Sequence, residues 1–318
     1  MAEYKGIHGT KIQNYTSDPD NPLQGQVWYN ETENTLKYDV PLVGAWVTGN
    51  AMNTARGRLG GAGASNTAAL AFGGNVPPET AATELYNGTN WTEVNDLTTA
   101  RKALAGAGTQ TAALAFGGAA PAVTAVTETW NGTNWTEVND LNSARRYLAG
   151  CGTNTAALAF SGENFGGAGA NLAVTETWNG TNWTEVGDLN TGRENPGGAG
   201  TNTAALAIGG QPDTAVTELW NGTNWTEVND LNTARYGMGA AGTSTAALGF
   251  GGNAGGNLAI TESWNGTNWT EVGDLNVATS RLAGAGTNTA ALAFGGNPPT
   301  AATEEWNIAG GIVTITTD

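Results

Sequence analysis

Cysteine, histidine and cationic side chains are scarce in this sequence of 318 residues, which limits the catalytic and metal-binding sites that it can form. The chain has one cysteine, Cys151, and one histidine, His8, and its 12 lysine and arginine residues face 28 acidic ones. One cysteine cannot build a disulfide framework or a cysteine metal cluster, and a Ser-His-Asp or Cys-His site would have to use His8. We therefore expect a protein that is not an enzyme and that has no cofactor and no metal.

Long apolar runs and a positively charged surface are missing as well. No stretch reaches the roughly 20 apolar residues of a membrane span, and the first residues lack the apolar core of a signal peptide. The formal net charge of -16 repels nucleic acid and anionic membranes. These absences argue against nucleic acid as a partner and against membrane insertion, and they predict synthesis in a cytoplasm.

Glycine is abundant, with 48 residues, and one phrase occurs six times. The phrase is Ala-Ala-Leu-Ala-Phe-Gly-Gly or a close variant. It recurs every 42 to 48 residues, with its central leucine at Leu70, Leu114, Leu158, Leu206, Leu248 and Leu292. A unit of this length holds four short strands that cannot bury both faces alone, so the copies must stack.

The third unit shows the pattern of these strands, which we expect at 147–152, 155–160, 173–178 and 183–186. Asn179 and Gly180 begin a tight hairpin turn between the last two, because both residue types tolerate a positive φ. The tryptophans that recur in the last two strands, and Cys151, whose equivalents are alanines, are expected to be packing residues.

An arginine before the first strand, Gly-Gly after the second and a tryptophan in each of the last two resemble the kelch repeat. In one unit these residues are Arg235, Gly251, Gly252, Trp264 and Trp269. The resemblance covers roughly residues 45 to 310. It implies an all-β fold, a six-bladed kelch-like β-propeller with four-stranded antiparallel blades, over residues 45–318.

The last blade lacks a fourth strand with tryptophan, and the segment around Trp46 matches the one around Trp225. The sequence therefore predicts that an N-terminal strand closes the ring in the last blade and leaves 312–316 as an extra outer strand. In the alternative register, residues 312–316 take the closing position and displace Trp46.

Half of the cationic residues are assigned to one repeat position, in the connections between the fourth strand of one unit and the first of the next. They are Arg56, Arg101, Arg145, Arg193, Arg235 and Arg281. Aspartates in five of these connections favour ion pairs that hold the loops. Alternatively, the arginines converge on the axis and bind a carboxylate, sulfate or phosphate.

The connections between the second and third strands are expected on the same face, and they vary most in length and content. Binding residues on repeat scaffolds tend to lie in such loops. The longest, 162–172, supplies the candidate binding residues Glu163, Asn164, Phe165 and Asn171.

Residues 1–44 break the repeat and predict an arm with a hairpin, whose candidate anchoring residues are Lys5, Lys11, Tyr15 and Trp28. The phrase Gly-Gln-Val-Trp-Tyr-Asn followed by Leu-Lys-Tyr resembles short elements in tail and fibre proteins of tailed bacteriophages. The whole layout resembles kelch-like proteins of marine phages. The resemblance implies a virion protein, with the arm bound to other virion proteins and the loop face turned to a host-surface glycan or protein.

Two other functions remain open. One is a soluble, lectin-like propeller that binds carbohydrate or protein. The other, less favoured, is a glycan-active enzyme, because the acidic residues repeat with the units and no unrepeated pair of carboxylates is evident.

Overall fold

The computed structural model describes residues 12–20, 26–164 and 170–315, which contain strands and turns and no helix. Among these residues, accordingly, no helix is long and apolar enough to cross a membrane. The chain divides into two compact units. We call Ala45–Asn307 the main unit and Met1–Gly44 with Ile308–Asp318 the terminal unit.

Fifteen strands precede residue 161. They are β1 Gln13–Tyr15, β2 Val27–Asn30, β3 Thr35–Thr48, β4 Gly60–Ser65, β5 Ala68–Phe72, β6 Thr83–Tyr86, β7 Trp91–Val94, β8 Ala105–Thr109, β9 Ala112–Phe116, β10 Ala119–Ala120, β11 Ala122–Val123, β12 Thr127–Trp130, β13 Trp135–Val138, β14 Ala149–Gly152 and β15 Ala157–Phe160.

The later strands are β16 Glu163–Asn164, β17 Ala170–Asn171, β18 Thr175–Trp178, β19 Trp183–Glu185, β20 Gly197–Gly200, β21 Ala205–Gly210, β22 Thr214–Trp220, β23 Trp225–Val228, β24 Gly239–Thr243, β25 Ala246–Phe250, β26 Thr261–Trp264, β27 Trp269–Glu271, β28 Ala283–Gly286, β29 Ala290–Phe294 and β30 Thr303–Ile315.

Four-stranded antiparallel sheets make up most of the main unit. Their strand orders are β4-β5-β6-β7, β8-β9-β12-β13, β14-β15-β18-β19, β20-β21-β22-β23 and β24-β25-β26-β27. Strands β28, β29, β30 and β3 follow one another in the remaining sheet of this unit, while β10-β11 and β16-β17 are two-stranded ribbons. The four strands expected in the third unit are confirmed, each to within two residues.

The first strand of each sheet contacts the first strand of the next, and β28 contacts β4. These inner strands consist almost wholly of glycine and alanine, because their backbones approach too closely for larger residues. A Cβ added to Gly106 would lie 2.4 Å from the carbonyl oxygen of Gly61. Small residues at the inner strands are therefore a steric requirement.

Tryptophans join neighbouring sheets. The indole N–H of Trp135 donates to the hydroxyl of Thr83 in the preceding sheet at 3.1 Å, and Trp183 donates to Thr127 in the same way. Trp46, in β3, makes the equivalent bond to Thr261 at 2.9 Å and is buried. The outermost strand of the last sheet in the main unit is thus β3.

The C-terminal strand differs from both sequence-based expectations for residues 312–316. Strand β30 begins at Thr303 and runs without a break to Ile315, so residues 312–315 continue the third strand of the last sheet. They form neither a separate outer strand nor the closing strand. The reason is that β30 pairs with β29 on one side and with β3 on the other, so the strand that follows β30 in this sheet is β3, which contains Trp46.

The terminal unit contains the predicted hairpin. Strand β2 pairs with β3 in antiparallel register, Val27 opposite Tyr38, and β1 pairs with β2 in parallel. Asp18 accepts hydrogen bonds from Trp28 Nε1, Asn30 Nδ2 and Lys37 Nζ. The bonds from Lys37 and Asn30 lower the pKa of Asp18 to about 2.

We expect Trp46→Ala to destabilise the protein by about 3–5 kcal/mol, as for a large aromatic residue removed from a core. The loss has two parts, the cavity and the free hydroxyl of buried Thr261. Urea unfolding followed by tryptophan fluorescence measures it. Val47→Ala is the control, because Val47 is the next residue and its side chain is exposed. Equal midpoints for the two variants would mean that β3 does not hold the last sheet.

Candidate functional site

The arginine position of the repeat is buried and does not face a central site. Arg56, Arg101, Arg145, Arg193 and Arg235 are at most 1% exposed. Each forms an ion pair with a glutamate on the third strand of its own sheet, as Arg145 does with Glu176 at 2.6 Å. The predicted ion pairs are present, but the partners are glutamates rather than the aspartates of the connections.

The aspartates of the connections accept hydrogen bonds from the backbone of their own sheets. Asp140 Oδ1 accepts the backbone N–H of Thr127 at 3.0 Å, and Asp188 accepts that of Thr175 at 3.1 Å. The alternative in which the buried arginines converge on the axis and bind an anion is wrong, because their charge is already neutralised inside the sheets.

Arg281 is also not at this repeat position. The residue four positions after Leu231 is Arg235, but the residue four positions after Leu275, the equivalent leucine of the next unit, is Thr279. Arg281 lies two residues later. The glutamate of this unit, Glu304, is 5% exposed and forms no ion pair among the described residues. A cavity of about 20 Å³ lies between Thr279 and Glu304, where the other units place an arginine.

The position two residues after the buried arginine brings the chain to the axis. Its occupants are Arg58, Ala103, Tyr147, Asn195, Gly237 and Arg281. All six have a φ between 52° and 63°, which is rare for residues other than glycine. Such a conformation persists only where the surrounding structure imposes it.

A closed circle of hydrogen bonds imposes it here. The backbone N–H of each of these residues donates to the carbonyl of its predecessor, at 2.6–2.9 Å, and Arg58 N donates to Arg281 O. We call these six residues the axial ring. They line one pocket of about 90 Å³ together with the residue that follows each of them, such as Leu59 and Met238.

The charge of this axial pocket is unusual for so acidic a protein. The described residues include ten lysines and arginines, and eight of them form ion pairs with carboxylates. The two others within the described residues are Arg58 and Arg281, both in the axial ring. The ring of Tyr147 lies 5.8 Å from the guanidinium carbon of Arg58 and 5.9 Å from that of Arg281.

Two carboxylates that have no counterpart in the other units meet beside this pocket. Glu163 begins the β16-β17 ribbon and forms an ion pair with Arg146, the neighbour of Tyr147, at 2.5 Å. Glu194 precedes Asn195. Burial, then the charge of Glu163 and a hydrogen bond shared with it, raise the pKa of Glu194 to about 7. The expectation that no unrepeated carboxylate pair exists is therefore wrong.

The candidate loop lies beside the axial pocket only in part. Glu163 takes part in the carboxylate pair, Asn164 lies opposite Ala170 in the ribbon, and the amide of Asn171 donates to the carbonyl of Gln211. Phe165 lies outside the described residues. Bridges such as Arg146 to Glu163 show that the loops after the second strands share a face with the axial ring, as expected.

The predicted anchoring residues are only partly described. Lys5 and Lys11 lie outside the described residues, and Tyr15 is half-buried. Trp28 is fully buried and hydrogen-bonded to Asp18, so the prediction that it contacts a partner is wrong. Its indole is needed inside the terminal unit.

The described residues that line the axis beyond the pocket include no reactive group. A channel of about 150 Å³ is lined by glycine and alanine of the inner strands and by Cys151. Burial raises the pKa of the Cys151 thiol to about 12, which keeps it protonated and unreactive. The described residues contain no group of three histidine, cysteine or acidic side chains that could hold a metal ion.

Arg58, Tyr147, Glu194 and Asn195 are functional candidates that the sequence pattern did not single out. A signal existed, because the position two residues after the arginine varies widely in units that are otherwise near copies. Its meaning depends on a φ and a hydrogen-bond circle that no spacing reveals.

Four-stranded antiparallel sheets whose inner strands meet around an axis define a β-propeller, and the chain has this fold. The solved structure of YjhT is similar, with a TM-score of 0.64 and 13% sequence identity over 85% of this chain and 98% of that chain. At this identity the likeness shows the fold alone. A scan against models of known families finds no match, and no curated protein matches either.

We expect Thr279→Arg to stabilise the protein by about 0.5–2 kcal/mol, the usual gain from filling a cavity. The new guanidinium would pair with Glu304 as Arg235 pairs with Glu262. Thermal unfolding measures the change, and Ala278→Arg adds the same charge at an exposed neighbouring position. A lower melting temperature for Thr279→Arg than for Ala278→Arg would mean that the backbone N–H groups around Glu304 already satisfy it.

We expect Glu194 to make the protein less stable as the pH rises from 4.5 to 7. In this window the folded protein keeps a proton on Glu194 that the unfolded chain has lost, and above pH 7 both states have lost it. Glu194→Gln should therefore gain stability relative to wild type between pH 5 and about pH 7. Melting temperatures across this range test it, with exposed Glu227→Gln as control. Parallel curves for wild type and Glu194→Gln would contradict the assignment.

Proposed function

We propose that this chain is a non-enzymatic binding protein of a tailed-phage virion. In this proposal the propeller has six kelch-like blades and is closed by β3 in the last blade. The terminal unit attaches to other virion proteins, and the face that carries the axial ring turns to a host-surface glycan or protein. One observation carries the binding role: the polar residues that differ between near-identical units gather around the axis on one face.

Six inner strands support the blade number. Strands β4, β8, β14, β20, β24 and β28 contact one another in succession, and the last contacts the first. Trp46 supports the closure, because its hydrogen bond to Thr261 matches those that Trp183 and Trp225 make to their preceding sheets.

The contrast between a uniform scaffold and one variable face supports binding. The buried ion pairs, the inner glycines and the tryptophan bonds recur from sheet to sheet, while the axial ring contains arginine, alanine, tyrosine, asparagine and glycine. A rigid ring that holds unlike side chains in fixed positions is suited to recognition, since little conformational entropy is lost on binding.

The geometry of the carboxylate pair favours binding over glycan cleavage. Glycosidases hold their two carboxyl groups about 5–5.5 Å apart when one of them is the nucleophile, and about 6.5–9.5 Å apart when a water molecule must fit as well. Glu163 and Glu194 share a hydrogen bond, which puts them in contact. Arg58 and Arg281 cannot serve as acids or bases at neutral pH, because guanidinium keeps its proton.

Attachment to a particle is supported by the terminal unit. Its phrase Val27–Asn30 and the following Leu-Lys-Tyr form paired strands of a hairpin, and these residues carry the resemblance to tail and fibre proteins. Trp28 and Lys37 hold this hairpin to Asp18, so it is a defined element rather than a loose tail.

We expect the chain to co-purify with virus particles. Particles from an infected culture, purified on a density gradient and analysed by mass spectrometry, should contain it in fixed ratio to capsid and tail proteins. Antibody raised against the main unit should then label intact particles and reduce their adsorption to host cells. Absence from clean particles would contradict the virion role and favour the soluble, lectin-like alternative, which a glycan array tests. Turnover of any glycan by the purified protein would contradict the non-enzymatic role.

A further inference from the structure

We propose that the axial pocket is a carboxylate-binding site in which Arg58 and Arg281 hold the anion and Asn195 adds a neutral donor. The ligand class is a small carboxylic acid, or a carboxylate carried on a larger sugar or peptide. The site deepens the proposed binding role but does not depend on attachment to a particle.

Unpaired hydrogen-bond donors in the pocket wall are the first evidence for this site. Asn195 Nδ2, Arg58 Nε and Arg281 Nε are buried and have no hydrogen-bond partner. The buried arginines of the sheets leave Nε unpaired too, so this atom alone does not mark a site. The Asn195 amide is the more telling atom, because leaving a buried N–H without an acceptor costs about 1–3 kcal/mol of folding free energy. An unpaired donor in this wall favours a ligand that accepts hydrogen bonds.

The positive charge of two arginines is the second evidence for this site. Arg58 and Arg281 face one pocket and form no ion pair among the described residues, while every other described cation forms one. Two guanidinium groups on one small cavity repel each other, and an anion between them removes the repulsion. The planar fork of guanidinium matches the two oxygens of a carboxylate.

Size and surroundings favour a carboxylate over phosphate. The pocket of about 90 Å³ has room for a small acidic group, and hydrophobic neighbours such as Leu148 and Met238 complete its wall. Glu194 and Glu163 lie beside it and oppose a second negative charge on the ligand. Monoanions are therefore accommodated better than dianions.

The neighbouring groups also predict how binding depends on pH. Glu194 faces Glu163, Arg146 and Arg281, and it loses its proton near neutral pH. The negative charge that appears then competes with the ligand for Arg281. We expect tighter binding at pH 6 than at pH 8, and Glu194→Gln should remove most of this difference while keeping the site.

Calorimetric and NMR titration of the full chain with sodium acetate, at constant ionic strength, tests the site. We expect saturable binding with one equivalent per chain, weakened about tenfold or more by Arg58→Gln or Arg281→Gln, since each removes a charged hydrogen bond. Lys102→Gln is the matched control, because Lys102 is already paired with Glu79. Asn195→Asp, at a φ that Asp tolerates, places a negative charge in the wall and should abolish binding even if an arginine variant fails to fold.

Several outcomes would overturn the proposal. They are the absence of saturable acetate binding at pH 6, equal affinity in Arg58→Gln, Arg281→Gln and Lys102→Gln, and binding of inorganic phosphate in preference to acetate. Failure of the virion test with retained acetate binding would remove the particle role and leave this site standing. Absence of acetate binding, with the chain present in particles, would remove this site and leave the virion role standing.

Discussion

The close approach of the inner strands around the axis is the constraint on which the rest of this structure depends. Backbones that nearly touch leave no room for side chains, so β4, β8, β14, β20, β24 and β28 are built from glycine and alanine. Strands of such residues contribute little apolar surface of their own. The stabilising area must come from farther out, where leucine, phenylalanine and tryptophan of adjacent sheets pack together.

Each large polar side chain buried in this packing has at least one hydrogen-bond or ion-pair partner. The indole N–H of each outer-strand tryptophan donates to a threonine of the preceding sheet, as Trp183 donates to Thr127. Each buried arginine pairs with a glutamate of its own sheet, as Arg145 pairs with Glu176. The glutamate also accepts backbone N–H groups of the connection, which Asn142 and Ser143 supply in that unit. The arginine–glutamate pair thus helps to fix the path by which the chain returns to the axis.

That fixed path sets up the axial ring. In every unit, including the last, which lacks the arginine, the glutamate accepts a backbone N–H of the connection. The axial residue that follows adopts the same left-handed conformation whatever its identity. Tyr147, Asn195 and the arginines accept this conformation because the circle of hydrogen bonds closes around them. A repetitive framework therefore presents unlike side chains at equivalent points around the axis.

Much of the fold could be predicted from periodicity alone. The six copies of the apolar phrase, the Asn-Gly turns and the paired tryptophans determine four strands per unit, and the match of Trp46 to Trp225 indicates which segment completes the last sheet. Burial of Cys151 follows from the alanines at its equivalents. Local residue patterns suffice for these features, because strands and tight turns depend on neighbours in the sequence.

The candidate site could not be predicted from the residue pattern. Arg281 looked like a member of the arginine ring because it lies close to the same place in its unit, yet Thr279 takes the arginine position and Arg281 takes the axial position two residues later. Trp28 looked free because no repeat explains it, yet it is fully buried and its indole N–H donates to Asp18. The sequence by itself determined the repeating sheets and their turns. Only the tertiary structure decided which charges are neutralised and which remain free, because a partner for an arginine is chosen by distance in space and not along the chain.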